Sequence, residues 1–316
     1  MLSTILRLLG YAVTGAMAGF FGGLLGIGGG IVAVPALNLI IGETMHVAIA
    51  GSLTSMVFVA AGAAWGHWKN GYLLRAVMIR LIPLAALSAV AGVLVGAHIP
   101  GWLLRRIFAI FLVYAVGNML YKSTRSYFSK KAEEVPVTEF TPRNEWITPL
   151  IAIPMGFSSG VLGIGGGVIA VPAMHLFLRL PLKNAIANSA ATIFFSSIIA
   201  ATVKLISING MTVNTSGGEE IILAWHHGAI IGVMLAPMAF LGGRMGSHIA
   251  RVAPVMIIRL LFAAVALYGA QRYWVNSARP PAPPIIPVEA ADEETDVSAA
   301  RQRLRRDLFG RDSHTG

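Results

Sequence analysis

One glycine-rich stretch occurs twice in this chain, and the duplication restricts its folds more than any other feature. Gly19 to Leu37 reads GFFGGLLGIGGGIVAVPAL and Gly156 to Met174 reads GFSSGVLGIGGGVIAVPAM, so 13 of 19 positions are identical at a constant offset of 137 residues. The same offset carries on to Ala48, Ile49, Ala50 and Ser52, which match Ala185, Ile186, Ala187 and Ser189. Gly96, His98 and Ile99 match Gly246, His248 and Ile249 at an offset of 150. Repeated membrane folds place substrate at the interface between the repeats, which directs attention to the two glycine stretches.

The flanks of both stretches are apolar over membrane-spanning lengths. Hydrophobic residues make up 56% of the 316 positions and charged residues 12%, against about 25% charged in soluble proteins. Apolar runs near the roughly 20 residues a span needs occur around 5–28, 47–66, 76–98, 103–121, 147–170, 184–206, 224–246 and 255–274. The expected fold is therefore all-α and polytopic, with about eight transmembrane helices in two internal repeats, each carrying a glycine-rich broken helix. Residues 1–121 and 147–275 are the repeats. Between them lies a charged linker, 122–146, and after them a proline-rich and then basic tail, 276–316, expected to be disordered, with a basic helix over Val297 to Leu308 on anionic lipid as the alternative.

A net charge of +10 would suggest nucleic acid as the partner of a soluble chain. In a membrane protein the same cations set orientation through the positive-inside rule. With an even number of spans per half, one face carries Lys69, Arg75, Lys122, Arg125, Lys130, Lys131, Arg143, Lys204 and the tail arginines. The other carries Arg105, Arg106, Arg179, Lys183, Arg244, Arg251 and Arg259. That distribution predicts a multi-pass protein of the cell inner membrane with both termini cytoplasmic. Nucleic acid is not an expected partner. The N-terminal run leads without a break into the first glycine stretch, which argues against a cleaved signal peptide. Zero cysteines exclude a disulfide framework, thiolate metal ligation and a cysteine nucleophile.

Glycines at 19, 22, 23, 26, 28, 29 and 30 are too many for an unbroken helix, since each costs about 1 kcal/mol relative to alanine. A break is predicted near Gly28 to Gly30, followed by a short half-helix from Ile31 to Ile41. Pro35 suits the first turn of that half-helix. Gly26, Pro35, Gly163 and Pro172 are the expected structural positions of the two breaks. Non-helical backbone at membrane depth survives only against protein or a water-filled cavity, so the breaks mark the binding site.

Three other patterns point elsewhere and fail. GIGGG resembles a phosphate-binding loop, which needs a strand before it and a helix after it. GFSSG fits a nucleophile elbow at Ser158 and Ser159, yet its repeat-related copy, GFFGG, has no serine. Histidines 46, 98, 175, 226, 227 and 248 lie near span ends without metal-ligand spacing. His98 and His248 are repeat-related and are the candidate proton-sensitive groups.

All 14 acidic residues, Glu43 among them, fall outside the predicted spans. Cation pumps and proton antiporters use intramembrane carboxylates, so their absence favours an anion. The starts of the half-helices offer backbone N–H groups and a positive dipole end to such a ligand. Gly28, Gly29, Gly30, Gly165, Gly166 and Gly167 are accordingly the candidate substrate-binding backbone. Ser52, Thr54 and Ser55 in one half, and Asn188, Ser189 and Thr192 in the other, are candidate side-chain donors. The competing reading of these polar residues is interhelical hydrogen bonding.

Two copies of G-x-x-x-G-x-x-G-x-G-G-G-x-x-x-x-P, at Gly19 to Pro35 and Gly156 to Pro172, each followed by A-I-A-x-S, resemble the sulfite exporter TauE/SafE family. The resemblance covers residues 5–275. It implies a permease or exporter of sulfur-containing or organic anions such as sulfite, sulfoacetate or related sulfonates, in bacterial inner membranes, and not an enzyme. No cofactor is implied; the expected partners are a small anionic substrate and the lipid bilayer, with room for a homo-oligomer. A passive anion channel and an intramembrane hydrolase are the alternatives. Gly51 stands where the second half has Asn188, so the halves need not be equivalent, and the charged tail lies outside the family pattern.

Overall fold

The computed structural model describes residues 2–128, 147–214, 220–250 and 255–277. Most of the linker, the tail and the basic helix expected within it lie outside the described residues. Every described helix belongs to one compact unit. Among the described residues six helices are long and apolar enough to cross a membrane.

The first half comprises α1 (Leu2–Leu25), α2 (Gly30–Pro35), a π-helical continuation (Ala36–Ile41), α3 (Met45–Trp68), α4 (Arg75–His98) and α5 (Gly101–Phe128). The second comprises α6 (Ile147–Leu162), α7 (Gly167–Phe177), α8 (Leu182–Ile208), α9 (Trp225–Ile249) and α10 (Val255–Ser277). Two short strands, Thr212–Asn214 and Glu220–Ile222, pair between α8 and α9.

Close glycine contacts fix the helix directions. Gly15, Gly19 and Gly23 of α1 lie against Leu235, Ala239 and Gly243 of α9, so these two helices run the same way. So do α3 and α9, through Ala50 against Gly228 and Gly62 against Phe240. Gly92 and Gly96 of α4 meet Phe157 and Val161 of α6 in the same sense. In contrast, α3 and α8 are antiparallel, with His46 beside Lys204 at one end and Met56 and Ile193 converging on Gly28 at the middle. Antiparallel packing also joins α5 to α10, where Phe108 stacks on Tyr273 and Leu112 touches Gly269.

The segment after each break folds back instead of continuing across. Gly29 lies against Ala18, and Ile41 lies against Gly10, so α2 and its π-helical continuation return along α1 to the face where α1 began. Each half therefore has a helical hairpin that folds back at its break, its first arm α1 itself of membrane-spanning length in the first half, followed by three long helices: α3, α4 and α5, then α8, α9 and α10. An odd number of crossings inverts the second half relative to the first. This corrects the even count of four spans per half. The described N- and C-terminal ends share a face, but α5 ends and α6 begins on the opposite one.

That geometry redistributes the cations and removes the premise on which cytoplasmic termini were expected. Arg7, Arg105, Arg106 and Arg272 lie toward the face of the two ends. Lys69, Arg75, Arg179, Lys183 and Arg244 lie toward the other. Lys204 belongs to neither loop set; it lies inside α8 and is wholly buried.

The halves interlock through small residues. The first helix of each half packs on the fourth of the other, α1 on α9 and α6 on α4. A Cβ at Gly156 or Gly160 would come within 2.1 Å of the Ala85 or Ala89 carbonyl oxygen. Close backbone approach of this kind is how membrane helices gain dispersion contact when lipid is as apolar as their side chains.

Candidate transport site

The two breaks are near copies in geometry. Gly26, Gly28 and Gly29 have φ of 67°, 85° and 81°, and Gly163, Gly165 and Gly166 have 68°, 89° and 66°. Backbone in this left-handed region is routine only for glycine. The break falls at Gly26 to Gly29, and α2 begins at Gly30, slightly before the expected start. Pro35 and Pro172 consequently lie inside their helices and not in the first turn, and beyond Pro35 the chain winds into π turns.

The breaks meet midway along α3. The Met56 sulfur, halfway along α3, flanks both Gly28 and Gly165, and a Cβ at either glycine would lie 3.1 Å from the Cα of the other. A reciprocal pair of hydrogen bonds ties each break to the opposite half. Ser52 donates to the Gly163 carbonyl at 2.8 Å, and Ser189 donates to the Gly26 carbonyl at 2.9 Å. Each bond satisfies a carbonyl left without an intrahelical partner where its helix ends. All four residues are buried.

The space between the breaks is filled by backbone. A Cβ at Gly30 would lie 2.0 Å from the Gly163 oxygen, and one at Gly167 would lie 2.1 Å from the Gly26 oxygen. The expected side-chain donors are engaged within the protein. Thr54 donates to Ala50 at 2.9 Å, Thr192 to Asn188 at 2.8 Å and Ser55 to Ser52 at 2.9 Å. Asn188 donates to the Asn184 carbonyl at 2.8 Å and accepts from the Leu74 N–H at 3.0 Å, fastening the turn before α4. The structure thus gathers Ser52, Ser189 and the six glycines at the centre, while Thr54 faces Gly232 of α9 and Asn188 faces the α3–α4 turn.

His98 and His248 are not brought together. His98 ends α4, bonded through Nδ1 to the Leu94 carbonyl at 2.8 Å, whereas His248 ends α9 toward the opposite face. His248 lines a cleft of about 500 Å³ between the last turns of α3 and α9, with Lys69, Asn70, Arg244 and Trp65. The Lys69 ammonium lies 5.5 Å from the centre of the Trp65 ring. Cations on the cleft wall and no carboxylate raise the local concentration of anions.

The sequence reading missed one group altogether. Lys204 and His46, assigned there to a loop and to an interface, are both buried, with Nζ and Nδ1 3.5 Å apart. The available signal was the repeat itself. At the offset of 137 residues His46 matches Lys183 and His67 matches Lys204, so each end of the antiparallel α3–α8 pair receives one histidine and one lysine.

Among the described residues no acyl-transfer constellation forms at the serine motif. Ser158 donates to the Met155 carbonyl at 3.1 Å within α6, and the motif lies in a helix, not on a strand-to-helix turn. Comparison with known proteins points the same way. The family model described as Sulfite exporter TauE/SafE matches residues 11–273. The chain belongs to the sulfite exporter TauE/SafE family. Among TauE/SafE-like relatives, a protein of Xylella fastidiosa named probable membrane transporter protein is 30% identical over 284 residues, covering 86% of this chain and 98% of that one. YunE of Bacillus subtilis, with the same description, is 27% identical over 276 residues, covering 80% and 93%. MamO of Magnetospirillum gryphiswaldense is 25% identical over 285 residues, and the chain spans 44% of its length. No solved structure matches the chain. The relatives are named as membrane transporter proteins, and six of this chain's described helices are long and apolar enough to cross a membrane.

Proposed function

We propose that this TauE/SafE protein is a carrier that exports small sulfur-containing or organic anions, such as sulfite, sulfoacetate or a related sulfonate, across a bacterial inner membrane. The observation that carries the reading is the contact between two inverted re-entrant breaks midway along α3, each bonded to the other half through one serine. In transporters of this architecture, broken helices supply the substrate site, and rocking of one half against the other alternates access. Separation of the halves would expose the N–H groups at Gly28 to Gly30 and Gly165 to Gly167, donors suited to an oxyanion. The cleft bearing Lys69, Arg244 and His248 would collect anions at one mouth. Orientation follows the positive-inside rule, so the face richer in short-loop cations, where α5 ends, is the cytoplasmic one.

The filled centre supports a carrier over an open channel. Purified protein in liposomes, tested with sulfite, thiosulfate, sulfoacetate, taurine and acetate under imposed proton and sodium gradients, separates the two. A carrier gives saturable flux that exchanges one anion for another across the membrane. Non-saturating flux of every anion would replace it with a channel, and no flux of any of them would remove the anion reading.

A further inference from the structure

Lys204 stands apart from every other cation described in the chain. It is wholly buried in a membrane-spanning helix, four residues from the end of α8, and its ammonium faces the His46 imidazole at the start of α3. Among the described residues no carboxylate reaches it; Glu43, close in sequence to His46, is engaged by the Tyr11 hydroxyl at 2.9 Å. Leu205 and Ile208, on the same end of α8 as Lys204, pack on Gly228 of α9. A buried cation in a membrane ordinarily sits opposite an anion and marks a substrate path. Here the described residues supply the cation and a second nitrogen base but no counter-charge.

Building on the carrier reading, we infer that Lys204 and His46 form an anion-receiving station near the face shared by the two chain ends, and that a small oxyanion occupies it during transport. The Lys ammonium offers three N–H donors, and a protonated imidazole offers two more. Charge-assisted bonds of this kind are short and strong. When the face is closed, as in this structure, the two bases rest against each other at 3.5 Å and the station is shut. The repeat places Lys183 and His67 at the other end of the same helix pair. Inversion of the halves thus gives one Lys–His station to each face. Lys183 is only half-buried and Lys204 fully buried, which fits a carrier closed at the first face and looser at the second.

Thermal unfolding of the full-length protein in detergent tests this at constant ionic strength, titrating sodium sulfite, sodium sulfoacetate and sodium methanesulfonate separately. Lys204→Met replaces the buried charge with an apolar side chain of similar length. The wild type is expected to be stabilised by at least one of the three anions. Lys204→Met should raise the half-saturating concentration at least tenfold, and Lys204→Arg, which keeps the charge, should stay within threefold of wild type. His46→Gln should fall between them. If Lys204→Met and wild type respond alike, the station is wrong and the carrier reading stands. If the wild type responds to none of the anions, both fall together. Should Lys204→Met fail to yield monodisperse protein, Lys204→Gln takes its place under the same criteria.

Discussion

Replacing Gly30 with alanine adds one methyl group where the two halves touch through backbone alone. The new Cβ would lie 2.0 Å from the Gly163 oxygen and 2.7 Å from the Ile164 Cα, so something must move. Gly30 is the first residue of α2, where alanine is the better helix former by about 1 kcal/mol. Against that gain, forcing atoms into a packed site costs about 1–3 kcal/mol. Displacing the Gly163 carbonyl also strains the bond it accepts from Ser52, and a buried carbonyl left without its donor costs about 1–3 kcal/mol more. The net loss is about 1–5 kcal/mol, which lowers the melting midpoint by several degrees at roughly 2–4 °C per kcal/mol. Two controls separate the causes. Gly117→Ala enters open space, and Gly42→Ala also meets nothing within 4 Å but has a φ of 90°. The second should therefore show only the left-handed penalty of about 1–2 kcal/mol. Scanning fluorimetry in detergent should rank the variants with Gly117→Ala highest and Gly30→Ala lowest, and liposome uptake should collapse for Gly30→Ala alone. A Gly30→Ala protein that melts with Gly117→Ala and transports normally would refute the contact.

Three further outcomes follow from the same geometry. Ser52→Ala and Ser189→Ala should each destabilise by about 1–3 kcal/mol, and by similar amounts, because their bonds are related by the repeat; unequal melting shifts would break that equivalence. Reporter fusions at Lys131 and after Arg306 should report opposite faces, the first cytoplasmic, whereas signals from the same face would restore an even number of crossings. Lys69→Gln combined with Arg244→Gln should raise the half-saturating anion concentration and flatten its dependence on ionic strength, as loss of a charged mouth requires; an unchanged salt profile would mean the cleft plays no part in capture.

The architecture was largely legible in the sequence, and the reasons are specific. Apolar runs of membrane length locate the long helices to within a few residues, because lipid leaves the backbone no alternative to helix. Glycine density located both breaks, although helix resumed at Gly30, before Pro35, because one proline ends a hydrogen-bond ladder without forbidding the turn before it. Helix direction was not legible. Whether a half-helix folds back or continues is decided by contacts such as Gly29 against Ala18, and these are not encoded in hydropathy. From that one ambiguity came the even crossing count and the charge assignment built upon it. Lys204 was missed for a related reason: a single lysine near the end of an apolar run reads as a loop residue until its partner helix is known. The serines were found by their repeat, but their hydrogen bonds to the opposite break depend on the inverted packing.

The central claim is that anions pass where the two re-entrant breaks meet, and that the halves must part there. The chain has no cysteine, so a pair introduced at Met56 and Ile193, which converge on Gly28 from α3 and α8, can be joined by a short bifunctional thiol reagent with no background. Uptake of radiolabelled sulfite, or of whichever anion the wild type carries, should persist in the doubly substituted protein and stop when the pair is linked. Linking either cysteine position alone with a monofunctional reagent of similar size controls for bulk. Fully cross-linked protein that transports at the unlinked rate would contradict the account.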